Sequence, residues 1–343
     1  MGLFSKKTSD EEYVRLRTAG INDYNRLVVQ NPFAPAEELR DKWMNMYQQI
    51  KQVYKLSKKY SDTENDVPVF KAYMDDALNR SNEYSHEIEY IVYRKEFEDV
   101  YKQYKELDED KSRVMSSFGN SYECYQIFEK LYERTEILKS NYIKFSNDNI
   151  NEYKLETMYN DIAYYFCGFM LNNVFYKTDD GREFNWNFKK ACVEKCKKIS
   201  SKFKEPRFKV LQGNSDFVMG ELWSEYAEQL PQESANMYHN RVINCRQTAI
   251  YPLSVIEDRK YDGSVTYFDA MEWHYLKMAF WNLYSIYIYT TKNYNKAYEL
   301  ANVMASSQEI HSCFSDDTAS FLSDIREEIG YFSKGLFGWK YVK

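Results

Sequence analysis

Cys192 and Cys196 are the side chains whose spacing comes closest to that of a chemical site. They lie four residues apart and would share one face of a helix, a spacing that two metal ligands can use. A zinc site needs about four ligands, however, and all 4 histidines lie far from these cysteines in sequence. We therefore interpret both cysteines as small core residues, and we predict no metal and no other cofactor.

Acidic pairs are the second group that could do chemistry. Asp75-Asp76, Asp179-Asp180 and Asp316-Asp317 could hold a cation or exchange protons, but acids at helix starts and turns usually cap helices and face solvent. The sequence has no Gly-x-Ser-x-Gly elbow and no phosphate-binding loop ending in Gly-Lys-Ser or Gly-Lys-Thr. We predict that the protein is not an enzyme. A helical enzyme whose site is built from residues remote in sequence stays open as an alternative.

Basic residues concentrate between positions 189 and 209, although the whole chain has a net charge of −6. The negative total argues against general nucleic-acid binding, whereas a local patch could hold an anionic lipid, an RNA or an acidic protein. A solvated helix face is the ordinary alternative, and Ile199, Phe203 and Phe208 would pack that helix on its own protein. The residues that we predict for an anionic partner are Lys189, Lys190, Lys197, Lys198, Lys202, Lys204 and Arg207.

Both ends of the chain carry Gly-Leu-Phe beside lysine. Gly335 and Gly338 would interrupt any helix, so the C-terminal end is predicted to be a short irregular tail whose large apolar side chains need burial. The residues that we predict to bind a protein partner are Leu3, Phe4, Leu336, Phe337 and Trp339. The same residues could instead be interfacial membrane anchors. N-terminal myristoylation at Gly2 is a weak match, because Ser5 stands one place before the position that the motif requires.

The overall composition indicates an all-α fold. Only 6 prolines and 11 glycines punctuate the chain, and most fall between stretches of helical periodicity. The 33 tyrosines suit thin helical bodies and interfaces, because each ring can be buried while its hydroxyl reaches water. No run approaches the roughly 18 apolar residues of a membrane span. Scattered cysteines without a signal peptide predict a reducing compartment, the cytoplasm or the interior of an assembled particle.

Residues 1–150 are predicted to form an antiparallel bundle of long helices. A short helix is expected from about Asp10 to Gln30, entered through an acidic first turn. The following stretch has apolar residues at alternating steps of four and three, with only Ser57 polar in the series, which is a heptad seam along one helix. The apolar members of the seam are Leu39, Trp43, Met46, Ile50, Val53 and Tyr60. Two further aromatic seams follow, over residues 90–107 and 122–145.

Residues 151–343 are predicted to be shorter helical hairpins that end in the aromatic tail. The stretch Asn187–Glu194 resembles Asn293–Leu300, and each follows an aromatic-rich helix. Residues 176–186 and 250–268 carry Asp-Gly turn signals and are candidates for small β-hairpins on loops.

One stretch resembles a tetratricopeptide-type unit, namely Trp281, Tyr284, Ser285 and Ile288 followed by Asn293-Tyr294-Asn295-Lys296-Ala297. It departs from that family at Ala301, where a large aromatic residue is usual, and it lacks the closing proline. The resemblance implies packed helix pairs with a peptide-binding or scaffolding use, and it implies no catalytic residue.

The function expected from the sequence is therefore a non-enzymatic interaction or scaffold subunit of a larger assembly, either a cellular complex or a virus particle. Its partners would be other protein subunits, in a homo- or hetero-oligomer. A peripheral membrane adaptor, anchored by both ends of the chain and the basic patch, is the alternative.

Overall fold

The computed structural model describes residues 2–29, 34–60, 66–109, 121–146, 151–175, 185–257, 270–306, 316–336 and 338–343. Within these ranges the fold is all-α apart from one two-stranded sheet, which confirms the predicted fold class. The helices are α1 (Gly2–Val29), α2 (Ala36–Tyr60), α3 (Asp66–Glu109), α4 (Ser121–Phe145), α5 (Glu152–Phe175), α6 (Trp186–Ser200), α7 (Pro206–Glu228), α8 (Gln232–Leu253), α9 (Ala270–Ser285), α10 (Tyr294–Ser306) and α11 (Asp316–Gly330). The strands are β1 (Phe332–Gly335) and β2 (Gly338–Tyr341). None of the helices described has the length and apolar run needed to cross a membrane.

The chain divides into two compact units. The first comprises Met1–Asp99 and Lys144–Ile150, and the second comprises Val100–Ile143 and Asn151–Lys343. Residues 66–99 of α3 belong to the first unit and residues 100–109 to the second, and most of α4 belongs to the second unit. Phe128 of α4 illustrates the packing, since its ring lies 5.4 Å from that of Tyr165 and 5.5 Å from that of Phe169.

The core of the first unit is formed by α1, α2 and the first part of α3. The first five apolar residues of the predicted heptad seam on α2, from Leu39 to Val53, are buried, with Ile50 fully enclosed; the side chain of Tyr60 lies outside what the structure describes. Two tyrosines of α1 reach carboxylates of α3 from the edge of this core: Tyr13 donates to Asp66 at 2.8 Å and Tyr24 to Asp76 at 2.5 Å. The helix expected from about Asp10 in fact begins at Gly2, so that residues 2–9 belong to it as well.

The second unit contains a buried polar layer that ties α5, α7 and α9 together. The Tyr275 hydroxyl lies 2.5 Å from the Gly168 carbonyl oxygen and 2.7 Å from Asn172 Oδ1, and its single proton is shared between these two acceptors. Asn214 Nδ2 donates to the Tyr275 carbonyl at 3.1 Å, and Asn282 Nδ2 donates to Asn214 Oδ1 at 3.0 Å. Because buried amides are costly unless they are hydrogen-bonded, this layer fixes how the three helices meet.

The two copies of the predicted internal repeat enter their helices in different registers. Asn293 caps α10, and its Oδ1 accepts from the Lys296 amide at 3.3 Å. The cap of α6 is Asn185 rather than Asn187, and its Oδ1 accepts from the Phe188 amide at 2.9 Å. As a result Ala297 is fully buried, whereas Ala191, which matches it in sequence, is exposed.

The loop segments expected to form β-hairpins are only partly described. Residues 176–184 and 258–269 lie outside the described residues, while Asn185 and Trp186 already begin α6. Residues 250–253 end α8, and a short 3₁₀ helix, Ser254–Ile256, follows.

The C-terminal tail is ordered, which corrects the expectation of an irregular segment. β1 and β2 form an antiparallel hairpin in the register Phe332↔Tyr341 and Gly335↔Gly338. Gly335 and Gly338 do stop the helical pattern, but they flank a tight turn instead of a disordered end.

Candidate functional site

The C-terminal hairpin, residues 332–341, is locked onto α10 through Gly338 and Asn295. Gly338 has a φ of +119°, a conformation that side-chain-bearing residues rarely adopt. A Cβ at this position would lie only 2.6 Å from Asn295 Oδ1. Because glycine allows this approach, the Trp339 amide donates to Asn295 Oδ1 at 2.9 Å. The Asn295 side chain of α10 therefore satisfies the backbone N–H of Trp339 in β2.

Aromatic rings hold the same strand pair against α10. The Trp339 ring stacks on the Tyr298 ring, with their centroids 3.6 Å apart. Tyr298 also contacts Phe332 of β1 at 5.5 Å, and the Phe332 side chain is buried. Trp339, one of the residues predicted to bind a partner, thus packs on its own chain.

Glu328, near the end of α11, is the polar anchor of the hairpin. Its carboxylate accepts from the Tyr284 hydroxyl at 3.0 Å, from the Tyr341 hydroxyl at 2.7 Å and from Lys343 Nζ at 2.5 Å. These donors come from α9, from β2 and from the last residue of the chain. One carboxylate therefore joins a core helix to both the hairpin and the C-terminal residue.

Opposing effects set the pKa of the Glu328 carboxyl. Partial burial raises that pKa, but the hydrogen bonds from Lys343, Tyr341 and Tyr284 outweigh burial and hold it below its usual value. The same environment raises the pKa of Tyr284 and of Tyr341, through burial first and the neighbouring carboxylate second. At neutral pH the anchor is therefore an ionised carboxylate held by two neutral phenols and an ammonium group.

Leu336 is the apolar side chain that the anchored hairpin leaves in solvent. It lies in the turn between β1 and β2 and is 99% exposed. Phe337, its predicted companion, lies outside the described residues. The leucine side chain is thus fully in solvent although the strands on either side of it are held in place.

The N-terminal residues predicted to share this role belong to the other unit. Leu3 and Phe4 are part of the helical backbone of α1, and their side chains lie outside what the structure describes. Their role in partner binding therefore stays a prediction.

The residues of the predicted basic patch occupy α6, the turn after it and the start of α7, and several of them pair with carboxylates of the same chain. Lys197 pairs with Asp216 and Lys202 with Glu136. Arg207 contacts Asp161 at 3.1 Å and Glu205 at 2.8 Å. These pairs link α6 and α7 to neighbouring helices, so the charges contribute to helix packing.

The remaining basic residues are more open. Lys190 lies 3.5 Å from Glu194 on the same helix, Lys189 is half-buried, and Lys198 and Lys204 are exposed. The open positive charge of the patch is therefore smaller than its sequence indicates.

Burial explains why the cysteines of the second unit are poorly suited to nucleophilic chemistry. Cys192 and Cys196 are both buried, as is Cys167. Burial raises the pKa of Cys192 to about 12, and it also raises the pKa of Cys167. These two thiols are therefore protonated at neutral pH, and the reactive thiolate is scarce. Across the described ranges, no group of three or more histidine, cysteine, aspartate or glutamate side chains is placed to hold a metal ion.

The sequence reasoning missed the residues that hold the hairpin. Asn295 and Tyr298 lie in the stretch that resembles its internal repeat, and Glu328 has no motif of its own, so nothing near them in sequence predicts their contacts with the hairpin. The one local signal was Gly338 directly before Trp339, because a glycine next to a large ring often marks close approach of the backbone.

Comparisons with known proteins add no relative to this picture. No protein-family model matches the chain, and neither the curated proteins nor the solved structures contain a significant match. The resemblance to tetratricopeptide-type units therefore stays a prediction.

Proposed function

We propose that this protein is a non-enzymatic interaction or scaffold subunit that docks into a larger assembly through its C-terminal hairpin. The observation that carries the proposal is the fully exposed Leu336 on a hairpin that the rest of the chain holds in place. Apolar side chains at such tips gain most from entering a partner's pocket, because their support is already ordered.

The anchoring contacts support a docking role over a merely structural one. Trp339 and Phe332 already attach the hairpin to its own helices, and Glu328 fixes the end of the chain. Leu336 contributes nothing visible to this attachment, and burying it elsewhere is favourable by about 1.5 to 3 kcal/mol. The helix pairs of the second unit, which resemble tetratricopeptide-type hairpins, would then serve as the scaffold.

The ion pairs within the basic patch favour a protein-docking function over binding of an anionic ligand. Lys197, Lys202 and Arg207 have carboxylate partners within the chain, so their removal would loosen helix packing before it affected an anionic ligand. We propose a reducing compartment for the protein, since Cys124, Cys167, Cys192, Cys196 and Cys245 are all free thiols.

Replacement of Leu336 with serine tests the docking role. Tagged wild-type and Leu336→Ser chains are purified from the native source under mild conditions, and their stoichiometric partners are compared by native mass spectrometry. We expect the variant to lose its partner, since losing the leucine should weaken the complex by roughly ten- to a hundredfold. Val92→Ser is the matched control, because Val92 is also exposed, at 64%, but lies on α3.

Two results would contradict the proposal. Retention of all partners by Leu336→Ser would remove the hairpin from the interface. If instead the wild-type chain recovered no protein partner but floated with lipid vesicles in a Leu336-dependent manner, the function would be that of a membrane adaptor and not of a scaffold. That second candidate function is favoured by Lys334 and Lys340, which are both exposed on the same hairpin. A bound small molecule without protein partners would point to an enzyme.

A further inference from the structure

Four aromatic rings from α6, α7 and α8 form a half-buried cluster away from the C-terminal hairpin. Trp223 stacks on Tyr238 at 5.3 Å and contacts Trp186 at 4.9 Å. Tyr226 lies 4.9 Å from Trp186 and 5.3 Å from Tyr238. We call these four residues, Trp186, Trp223, Tyr226 and Tyr238, the aromatic platform. Each ring keeps part of its surface in solvent.

Two cations lie on the aromatic platform. Lys190 Nζ is 5.5 Å from the centroids of both Trp186 and Trp223. The Arg241 guanidinium is 4.7 Å from the Trp223 ring and 5.2 Å from the Tyr238 ring. Such stacking fixes the plane of a guanidinium without using its N–H donors.

Arg241 differs from Arg207 in having no hydrogen-bond acceptor among the described residues. Its side chain is exposed, and in the described part of the chain it makes ring contacts only, with no hydrogen bond or ion pair. By contrast, Arg246, five residues further along α8, pairs with Glu221 at 2.7 Å. The chain thus holds a guanidinium in a defined orientation and leaves its donors free for an external carboxylate.

We propose that the aromatic platform and Arg241 form a docking surface for a protein segment that carries a carboxylate beside an apolar or aromatic side chain. The carboxylate would accept from Arg241, and the apolar side chain would cover Trp223 and its neighbours. Tryptophan, tyrosine and arginine are the residue types that carry most of the energy of protein interfaces.

The surrounding charges favour a protein segment over a polyanion. Glu225 and Glu228 are exposed on α7, the helix that carries Trp223 and Tyr226. These carboxylates repel a polyanion such as RNA or an anionic membrane, which carries many charges, more strongly than a protein segment that carries a single carboxylate. The net charge of −6 adds a general repulsion of polyanions.

This surface is separate from the hairpin on which the proposed function rests. Its failure would leave the docking of Leu336 untouched, and loss of hairpin docking would leave this surface intact.

The test uses a phage-displayed library of random peptides selected against the full chain. We expect the enriched peptides to carry aspartate or glutamate next to an apolar or aromatic residue. In fluorescence anisotropy with one selected peptide, Arg241→Gln should raise the Kd of the peptide by about tenfold or more. Replacing the acidic residue of the peptide with its amide should weaken binding similarly, and the two changes together should cost little more than either alone.

Further variants keep the result interpretable. Arg326→Gln removes the same charge from an exposed position on α11 and should bind the peptide like the wild-type chain. Arg241→Lys keeps the charge but loses the planar fork, so it should bind more weakly than wild type even if Arg241→Gln proves unstable.

Three outcomes would overturn the proposal: no enrichment of acidic peptides, peptide binding that is unchanged in the Arg241 variants, or Arg241-dependent binding of oligouridine or phosphatidylserine vesicles without peptide binding.

Discussion

Replacement of Gly338 with alanine should release the C-terminal hairpin from α10. At a φ of +119° an alanine is strained by about 1 to 3 kcal/mol. Its Cβ would also lie 2.6 Å from Asn295 Oδ1 and 2.9 Å from Asn295 Nδ2, so that Asn295 must move away. The hydrogen bond from the Trp339 amide is then lost, at a cost of about 1 kcal/mol. Together these effects should destabilise hairpin docking by about 2 to 4 kcal/mol.

Hydrogen exchange measured by mass spectrometry on the C-terminal peptide is the suitable assay, because the hairpin can detach while the helical core stays folded. A loss of about 2 kcal/mol should speed exchange of the Trp339 amide by a factor of roughly 30. Gly330→Ala is the matched control, since in the described part of the chain no atom beyond its chain neighbours and its own helix backbone lies within 4 Å of the Cβ that it would add. Equal exchange in both variants and in the wild-type chain would refute the role assigned to Gly338 and Asn295.

Two further predictions concern the anchor and the repeat. Because the pKa of Glu328 is depressed in the folded chain, the stabilisation that it provides is complete above the ordinary value of 4.5 and is lost as the pH falls through the lowered value. Exchange of the hairpin amides, corrected for the intrinsic rate, should therefore become faster on acidification. Glu328→Gln should make this exchange faster at neutral pH and should abolish its acid dependence. If the variant had the same pH profile as the wild-type chain, Glu328 would not be the anchor. Ala297→Trp should destabilise the chain by roughly 1 to 3 kcal/mol in thermal unfolding, because Ala297 is fully buried. Ala191→Trp should have almost no effect, because Ala191 is exposed, and equal losses in the two variants would contradict the difference in register.

Local periodicity predicted the helices well where a single face meets the core. The heptad seam of α2 illustrates this, since Leu39, Trp43 and Ile50 are all buried as their spacing requires. Their shared face is visible from residues three and four positions apart, without knowledge of the helices that pack against it.

Contacts between distant residues explain what the sequence did not reveal. Lysines of the basic patch meet carboxylates such as Glu136, which is 66 residues from Lys202 along the chain. Likewise, the hairpin is ordered by Asn295, which is 44 residues before Trp339. Neither pairing leaves a local pattern in the sequence. The sequence alone therefore indicates a basic patch that is more open, and a C-terminal tail that is less ordered, than those in the structure.

The register of the internal repeat shows a subtler limit. Alignment of the two repeat sequences places Asn187 opposite Asn293, but the residue that caps α6 is Asn185. Either asparagine could cap the helix, and the choice depends on tertiary contacts such as the bond from Trp186 Nε1 to the Leu222 carbonyl at 2.9 Å.

Photo-crosslinking from the hairpin tip tests the central claim most directly. A photoreactive amino acid is placed at position 336 of the full chain, and at position 92 as the control, and each protein is irradiated in extract from the native source. The docking proposal predicts one discrete adduct with a protein partner from position 336 and none of the same mass from position 92. Adducts with lipid alone, or the same adducts from both positions, would contradict it.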